Sequence, residues 1–277
     1  MLECVVNVSE GRRPEVLRKL ARAVDPGDLL DVHVDPWHHR SVWTLVGTTA
    51  PRRLTRQALE LLDLSEHQGA HPRLGVVDVV PFVPFDTSSM DDAHVARDEF
   101  AHWAADDLQL PSFLYGPADM APHRSLPEIR RRAWSTLQPD IGPPAPHPTG
   151  GAMCVGARPV LVAYNIWLQP GADWTRATEV TASIRTSQVR ALTLRLGDRV
   201  QISMNLVEPL SHGPLAAYED VSRRCAELGL QIERAELVGL VPTAVLTATP
   251  RHLWPTLDLA TERTIEYRFE RGYSPTL

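Results

Sequence analysis

In the first 84 positions of the chain, apolar residues recur with two different periods, one typical of strands and one typical of helices. Segments of the two kinds follow one another along the chain. Positions 3–8 and 30–34 alternate between apolar and polar side chains, which is typical of strands with one buried face. After Pro14, apolar residues recur at helical spacing, which predicts an amphipathic helix with proline in its first turn. Pro51 begins a second helix of the same kind. The predicted order is therefore βαββαβ, with strands at 3–8, 30–34, 41–46 and 76–84.

The same order returns in the second half of the chain. The predicted strands are 160–168, 189–196, 199–206 and 231–238, and apolar stripes mark helices near 177–184 and 215–228. Units of this kind form ferredoxin-like layers, in which two helices cover one face of an antiparallel sheet. We therefore predict an α+β fold of two ferredoxin-like βαββαβ subdomains, residues 1–157 and 158–277, whose sheets face each other.

A longer segment separates the two units. Residues 91–108 have the apolar spacing of a helix and 112–115 that of a short strand. Ser125 begins another helix, since its side-chain oxygen suits a helix cap. Residues 138–151 are rich in proline and glycine, and this composition predicts a stiff linker.

In each predicted sheet, the face away from the helices carries polar side chains. In the first unit these are Asp31, His33 and Asp35. In the second unit they are Gln201, Ser203 and Asn205, with Thr193 and Arg195 on the neighbouring strand. Two such faces could form a slot for a long, flat, polar ligand. The alternative is that both faces are simply hydrated, which is common for single antiparallel sheets.

The segment Glu66–Gly75 carries two histidines, an arginine, two glycines and a proline. Gly69 and Pro72 interrupt any regular helix, so the backbone turns here and presents its polar side chains. Loops that hold histidine and arginine beside a rigid element are common places for catalysis. A hydrated connector without catalytic residues is an equally good interpretation of the composition alone.

Composition narrows the possible functions. The chain has 277 residues and a formal net charge of −6, which argues against a broad nucleic-acid surface, and Lys19 is its only lysine, which argues against a catalytic lysine. Cys4, Cys154 and Cys225 are scattered and odd in number, which favours a reducing compartment over a disulfide framework. With no long apolar run and no recognisable signal peptide, we expect a cytoplasmic protein without membrane or nucleic-acid partners.

Motifs for metals and nucleotides are weak. His67 and His71 are four positions apart, but Gly69 breaks the helix that would align them on an ion, so we predict no metal site. The glycines of 150–156 match neither the dinucleotide-binding spacing nor the P-loop spacing. The sequence has no GxSxG element, and its central strands lack the aromatic residues of RNA-binding ferredoxin-like domains.

Motifs along the whole chain resemble the glutamate formiminotransferases, the transferase portion of formiminotransferase-cyclodeaminase. They are, in order, Glu3–Gly11, Asp35–Gly47, His67–Pro84, Leu114–Gly116, Asp140–Pro143, Gly156–Arg158, Ala163–Asn165, Ser203–Leu206 and Leu237–Pro242. This ordered set covers nearly the whole chain. We expect no cyclodeaminase portion in it.

The resemblance implies two ferredoxin-like subdomains that hold a reduced folate between their sheets. It implies that His71, in the His-Pro-Arg segment, is the catalytic base, and that the proline- and glycine-rich segment is a folate-binding wall rather than a linker. The residues of that wall are Gly142, Pro143, Pro148, Thr149, Gly150 and Gly151. The implied reaction moves a formimino group from formiminoglutamate to N5 of tetrahydrofolate. The family also suggests a homodimer.

Polar residues near the implied site are candidates for binding or orienting the substrate. They are Asp31, His33, Asp35, His39 and Arg40. An acid such as Asp31 or Asp35 could orient the base or stabilise a cationic amidine, and Arg40 could hold a glutamate carboxylate.

The chain departs from the family near this site. Trp37 and His39 stand where bacterial members usually have an acid and an amide, Trp167 replaces an asparagine, and the connection after Ile184 is shorter. Two alternatives to the formiminotransferase therefore stay open. One is a diverged paralogue with another amidine or formyl partner, and the other is a folate-binding protein without turnover.

Overall fold

The computed structural model describes residues 1–69, 72–116, 124–273, 275 and 277, and these form two compact units. The first unit comprises Met1–Pro159 with Gly272–Leu277, and the second comprises Val160–Arg271. Each unit has its own hydrophobic core. Tyr273 and Leu277 pack against the core of the first unit, whereas the predicted boundaries place this terminus in the second subdomain.

The first unit begins with the βαββαβ order that the apolar periods predict. Its elements are β1 (Leu2–Val8), α1 (Pro14–Ala23), β2 (Leu29–Asp35), β3 (Arg40–Val46), α2 (Thr49–Leu61), β4 (Val77–Pro84), α3 (Met90–Leu108), β5 (Ser112–Tyr115), α4 (Leu126–Arg132) and β6 (Met153–Ala157). Ser89 and Asp92 form a capping box at the start of α3, and Ser125 caps α4. Strand β6 was not predicted, because all five of its residues are buried and its sequence therefore lacks the polar alternation of a half-exposed strand.

The six strands form one sheet in the order β2-β3-β1-β4-β6-β5. The first four are antiparallel neighbours, and β6 pairs in parallel with both β4 and β5. Helices α1, α2 and α3 cover one face, where Leu20, Leu54 and Phe100 join a core with Trp43 and Phe82 of the strands. The opposite face is called the polar face below.

A second, smaller core lies on the polar-face side of β5 and β6. Leu114 and Val155 join the main core, whereas their chain neighbours Phe113 and Cys154 join the smaller one. Since successive residues of a strand point to opposite faces, the two cores lie on opposite sides of the same strands. Ile129 of α4 belongs to the smaller core, so α4 borders the polar face.

The second unit repeats the predicted order. Its elements are β7 (Val162–Leu168), α5 (Trp174–Ser183), β8 (Val189–Leu196), β9 (Arg199–Leu206), α6 (Pro214–Glu227), β10 (Ile232–Val238), α7 (Thr243–Thr247) and α8 (Ile265–Arg271). The sheet order β10-β7-β9-β8 is the same arrangement as β4-β1-β3-β2 in the first unit. The predicted α+β fold of two βαββαβ subdomains is thereby confirmed.

The prediction that Thr193 and Arg195 lie on the polar face of the second unit is wrong. The Thr193 hydroxyl donates to Thr181 of α5 at 2.7 Å, and the Arg195 guanidinium lies 5.0 Å from the centre of the Trp174 ring in α5. Both side chains therefore face the helices, and Leu192, 54% exposed, is on the polar face instead. Strand β8 carries apolar residues on both faces, so its alternation did not identify the buried side.

The three cysteines of the chain are buried free thiols: Cys4, Cys154 and Cys225. Within the described ranges, no three or more histidine, cysteine, aspartate or glutamate side chains are grouped so that they could hold a metal ion. No helix in that part of the chain is both long and apolar enough to cross a membrane.

Candidate functional site on the polar faces

The polar face of the first unit carries the three polar residues of β2 that the alternation predicts there. The antiparallel register pairs them with Thr44, Val42 and Arg40 of β3, which therefore line the same face. Val32 and Val34, which lie between these polar residues along β2, pack into the core on the other side. Asp31, His33 and Asp35 are each partly buried on the polar face.

Arg40 is held on this face by Asn7 and Asp78. Its Nε donates to Asn7 Oδ1 at 2.9 Å, and its Nη1 donates to Asp78 Oδ2 at 3.1 Å. Arg130 of α4 donates to the same Asp78 oxygen at 2.6 Å, and the backbone N–H of Leu74 donates to the other oxygen at 2.8 Å. Asp78 is 1% exposed, so two guanidinium groups compensate a buried carboxylate.

Positive charge is crowded around Asp78. Burial lowers the pKa of Arg40 to about 10; the charge of Asp78 opposes this shift and that of Arg130 adds to it. Arg40 remains a cation at neutral pH because this value is still well above 7. Any contact between Arg40 and a substrate carboxylate has to accommodate Asn7 and Asp78, which already engage two of its nitrogens.

Asp35 shapes the β2–β3 hairpin. Its Oδ1 accepts the backbone N–H groups of Trp37 and His38 at 2.8 and 2.9 Å, an Asx-type turn, and its Oδ2 lies 3.7 Å from His38 Nε2. The backbone at Gly11 lies close against this hairpin, and only glycine fits there, since a Cβ would lie 2.4 Å from the Asp35 carbonyl oxygen. Trp37 itself is 54% exposed at the tip.

Glu10 is a buried carboxylate beside His39. Its Oε1 accepts the backbone N–H groups of Arg12 and Arg13 at 2.8 and 2.9 Å, and Arg13 Nε donates to its Oε2 at 2.6 Å. Burial opposes ionisation of Glu10, but the hydrogen bonds from Arg12 and Arg13 outweigh it and lower the pKa below its ordinary value. His39 Nε2 lies 3.4 Å from Glu10 Oε1, so an ionised carboxylate fixes one nitrogen of this imidazole.

His39 and His67 stack face to face, with ring centres 4.2 Å apart and planes inclined by 18°. His67 Nε2 lies 2.8 Å from the His39 carbonyl oxygen, and since a carbonyl only accepts, we assign the ring proton to Nε2. His67 Nδ1 is buried and has no hydrogen-bond partner among the described residues. Burial, with the charges of Arg73 and His39, lowers the pKa of His67 despite the hydrogen bond to His39, so this ring is neutral at pH 7.

Arg73 ties this loop together from its far side. Its Nη1 and Nη2 donate to the carbonyl oxygens of Gly69 and His67 at 3.1 and 2.7 Å. Gly69 is required by space, because a Cβ there would lie 2.5 Å from the His38 carbonyl oxygen. The loop residues on this side are thus docked on the β2–β3 hairpin. His71, the predicted catalytic base, lies outside the described residues.

The proline- and glycine-rich segment ends in a closed turn. The backbone N–H groups of Thr149 and Gly150 donate to His147 Nδ1 at 3.3 and 2.9 Å. The backbones of His147 and Gly151 pair in both directions, at 2.8 and 2.9 Å. The Thr149 carbonyl accepts from Leu64 N at 2.7 Å, so the turn is also fastened to the segment that precedes β4.

The predicted folate-binding residues of this segment occupy two environments. A Cβ at Gly150 would lie 2.4 Å from the Leu59 side chain, and one at Gly151, where φ is +72°, would lie 2.2 Å from the Leu74 carbonyl oxygen. These two glycines therefore serve close packing of the chain. Gly142 lies instead against the end of α3. Of the predicted residues, Gly142 and Pro148 are exposed, and Pro143 and Thr149 are half-buried.

The polar face of the second unit is built around Glu236 of β10. Its Oε2 accepts from Asn165 Nδ2 at 3.0 Å, Trp167 Nε1 at 2.9 Å and Gln201 Nε2 at 3.3 Å. Arg234 donates to Oε1 at 3.2 Å, and its guanidinium lies 4.9 Å from the centre of the Trp167 ring. Trp167, which departs from the asparagine usual in the family, thus supplies an N–H donor to the same carboxylate.

Three acids of these networks were not among the predicted site residues: Glu10, Asp78 and Glu236. Asp78 had a visible signal, since it is the one acid within the apolar run 76–85 and a buried acid needs a partner. Glu236 had a weaker one, as an acid between the apolar Ala235 and Leu237. Glu10 lies in a polar turn where the sequence offers no indication of burial.

Two family models match the chain: the formiminotransferase domain, N-terminal subdomain, over residues 1–158, and the formiminotransferase domain over residues 163–260. Over 274 residues the chain is 35% identical to the glutamate formimidoyltransferase of Thermoplasma acidophilum, with 89% of each chain covered. It is 31% identical over 271 residues to the enzyme of that name from Streptococcus pyogenes, covering 89% of this chain and 90% of that one.

A third relative is much longer. The chain is 35% identical over 271 residues to the formimidoyltransferase-cyclodeaminase of Gallus gallus, covering 87% of this chain and 50% of that one. It thus spans about half the length of the relatives of this kind that it matches. The family models cover both units, and the resemblance of the sequence motifs is confirmed. The chain belongs to the formiminotransferase domain family.

Proposed function

We propose that this chain transfers a formimino group from formiminoglutamate to N5 of tetrahydrofolate. One observation carries the proposal: the similarity to relatives named glutamate formimidoyltransferase runs through both units and nearly the whole of each relative. The polar face of the first unit supports it, because that face carries carboxylates, imidazoles and guanidinium groups suited to a polar amidine substrate.

The reaction needs one group that accepts and returns a proton. The N5 lone pair of tetrahydrofolate attacks the amidine carbon, and N5 then loses its proton. The bond from that carbon to the glutamate nitrogen breaks, and this nitrogen leaves as an amine after gaining a proton. An imidazole with a pKa near ~6.5 can perform both transfers at neutral pH. We assign this task to His71, on the resemblance of the His-Pro-Arg segment to that of the family.

The neighbouring polar residues are proposed to bind and orient the donor. The carboxylates of Asp31 and Asp35 would attract the cationic amidine to the polar face, and His33 between them would orient the donor by hydrogen bonding. His39 would present an imidazole whose position is held by Glu10 and the stacked ring of His67. Arg40 would contribute mainly its positive charge, since Asn7 and Asp78 already engage two of the guanidinium nitrogens that could pair with a substrate carboxylate.

The segment Gly142–Gly151 is proposed to line the reduced folate. The side chains of Pro143, Pro148 and Thr149, with the exposed backbone of Gly142, would supply the surface that touches the ligand. Gly150 and Gly151 would act indirectly, because they pack against Leu59 and Leu74 and so set the path of the turn.

The direct test is single-turnover transfer from formiminoglutamate to tetrahydrofolate by the wild type and by His71→Ala, with folate binding measured in parallel. We expect the variant to lose roughly 10²–10⁴-fold in rate, the usual contribution of a general base, while folate affinity changes little. His102→Ala, at an exposed histidine of α3, is the matched control. Transfer by His71→Ala at the wild-type rate would refute the assignment of the base.

A folate-binding protein without turnover is the second candidate. The exposed Trp37 favours it, since this apolar side chain stands at the hairpin where bacterial members of the family usually have an acid. Wild-type protein that binds tetrahydrofolate but transfers nothing, from formiminoglutamate or from other amidine and formyl donors, would support this candidate. Transfer from one of those other donors alone would instead identify a diverged paralogue.

We also propose that the chain works as a homodimer in the cytoplasm. The resemblance to the family suggests the dimer, and three buried free thiols suit a reducing compartment. Light scattering of the purified protein is expected to give twice the mass of one chain. A monomeric mass across the concentrations used for the activity assay would contradict the dimer.

A further inference from the structure

Two arginines at the α4 border of the first unit have donor groups without acceptors. The Nε atoms of Arg124 and Arg130 are buried, and neither has a hydrogen-bond partner among the described residues. Each guanidinium makes an ion pair through Nη2, Arg124 with Asp140 and Arg130 with Asp78. A buried donor without a partner is destabilising, and more so on a charged group, so an acceptor from outside the chain would be stabilising here.

The fold brings these two ion pairs to one place. Asp78 lies on β4, while Asp140 accepts the backbone N–H of Leu114 on β5 at 2.8 Å. Strand β6 runs between β4 and β5, so the two acids flank it. Arg124 lies two residues before the start of α4 and Arg130 lies within that helix, so both guanidinium groups come from one short segment of the chain.

Cys154 of β6 marks the middle of this arrangement. The register pairs it with Val79 on one side and Phe113 on the other. Burial raises the pKa of the Cys154 thiol, and four charged side chains also act on it: Asp78, Arg130, Arg40 and Arg124. Asp78 of β4, with Arg40 and Arg130, lies on one side of β6, and Asp140, which pairs with Arg124 and accepts the backbone N–H of Leu114 of β5, lies on the other.

The cluster has one more positive than negative charge. Arg40, Arg124 and Arg130 share the carboxylates of Asp78 and Asp140. The side chains of the three arginines are only 13%, 12% and 19% exposed, so water screens their charge incompletely. A guanidinium presents planar N–H donors that match a carboxylate. The shape and the charge of the cluster therefore both suit a planar monoanion.

We propose that Arg124 and Arg130 form a carboxylate-binding site at the α4 border of the polar face, and that it takes a carboxylate of a glutamyl group. The choice of a glutamyl group rests on the proposed function, because both substrates of that reaction carry one. The sources are the donor formiminoglutamate, with its product glutamate, and the glutamyl end of tetrahydrofolate.

The test compares Arg124→Gln, Arg130→Gln and Arg130→Lys with Arg131→Gln, an exposed arginine of the same helix. Arg130→Lys keeps a cation near Asp78 but lacks the Nε fork, so it separates anion binding from folding. Each variant is assayed for glutamate affinity by calorimetry, for the KM of formiminoglutamate and of tetrahydrofolate, and for unfolding by denaturant. We expect the first three variants to weaken carboxylate binding about 10- to 100-fold and Arg131→Gln to leave it unchanged.

The two sources give different results. A rise in the KM of formiminoglutamate, with the KM of tetrahydrofolate unchanged, would assign the site to the donor. A lower affinity for tetrahydrofolate, with an unchanged affinity for tetrahydropteroate, would assign the site to the folate. Tetrahydropteroate lacks the glutamyl group. Binding that is unchanged for every one of these ligands in folded Arg124→Gln and Arg130→Lys would overturn the proposal.

The site and the proposed function can fail separately. If the wild type transfers no formimino group but binds glutamate or tetrahydrofolate in a manner that depends on Arg124 and Arg130, the carboxylate site stands and the proposed function falls. If transfer is normal and the variants match Arg131→Gln in every assay, the function stands and the site falls.

Discussion

The two units of this chain build different electrostatic environments on one strand order. The order β4-β1-β3-β2 of the first unit returns as β10-β7-β9-β8 in the second. In each unit the fourth strand places an acid on the polar face. Asp78 on β4 is paired with two arginines, whereas Glu236 on β10 accepts chiefly from neutral amide and indole donors.

The difference between these acids follows from what lies beyond the fourth strand. In the first unit the sheet continues beyond β4 with strands β6 and β5, and α4 packs on these two strands. Asp78 is therefore only 1% exposed. In the second unit β10 is at the edge of its four-stranded sheet, and the Glu236 side chain is 15% exposed. A deeply buried carboxylate requires cations, whereas a partly exposed one can take most of its hydrogen bonds from neutral donors. The added strands thus decide the charge of the site.

Neutralising the two acids gives the largest expected contrast. Asp78→Asn leaves Arg40 and Arg130 buried without their shared counter-charge, so we expect a loss of about 3–5 kcal/mol in the free energy of unfolding. Glu236→Gln keeps the shape but turns an amide toward groups that are themselves donors, and we expect a loss of about 1–3 kcal/mol. Urea unfolding of the two variants measures the contrast. Equal losses in the two variants would show that the cost of neutralising an acid does not depend on how deeply it is buried.

Two glycines with positive φ provide a second, smaller contrast between the units. Gly151 and Gly171 have φ of +72° and +80°, but a Cβ at Gly151 would lie 2.2 Å from the Leu74 carbonyl oxygen and one at Gly171 would meet nothing within 4 Å. Gly171→Ala is expected to cost roughly 1–2 kcal/mol, the strain of the left-handed backbone alone. Gly151→Ala adds a steric clash, for about 3 kcal/mol or more in total.

Thermal or urea unfolding of these two alanine variants is the measurement. The contrast depends on the space around each glycine, because the φ angles of the two are nearly the same. A Gly151→Ala protein as stable as Gly171→Ala would mean that the turn at 147–151 moves freely away from Leu74, and its packing would then not position the segment.

The smallest expected effect is the pH dependence contributed by His67. Burial lowers the pKa of His67 in the folded chain, so the unfolded chain takes up this proton more readily. The contribution to stability is therefore complete above the unfolded pKa of about 6.5 and is lost as the pH falls below it. His67→Asn is expected to flatten the slope of unfolding free energy against pH between about pH 7 and 5.

His252→Gln, at an exposed histidine of the second unit, provides the reference for removing a histidine from this chain. The slope is obtained from urea unfolding at closely spaced pH values for wild type and both variants. A His67→Asn protein with the wild-type slope would show that the folded chain does not keep His67 from taking up a proton.

The family resemblance and the apolar periodicity together predicted most of the fold. The polar face of β2 was predicted from alternation alone. Asp31, His33 and Asp35 lie where a period of two assigns them, because a strand with one apolar side leaves little choice of register. Thr193 and Arg195 were misplaced by the same reasoning, since β8 has apolar residues on both sides. Strand β6 was not predicted, because its five residues are all buried and show no alternation of apolar and polar side chains.

The sequence by itself determined most of the elements, their repeated order and the residue types that carry the chemistry, because periodicity, caps and turn residues act between near neighbours in the chain. Only the tertiary structure decided which charges meet. Asp78 is joined to Arg40 and Arg130 across 38 and 52 positions, and His39 to His67 across 28. Such pairs depend on how the strands and helices pack in three dimensions. Local patterns of residues do not specify contacts between positions so far apart in the chain.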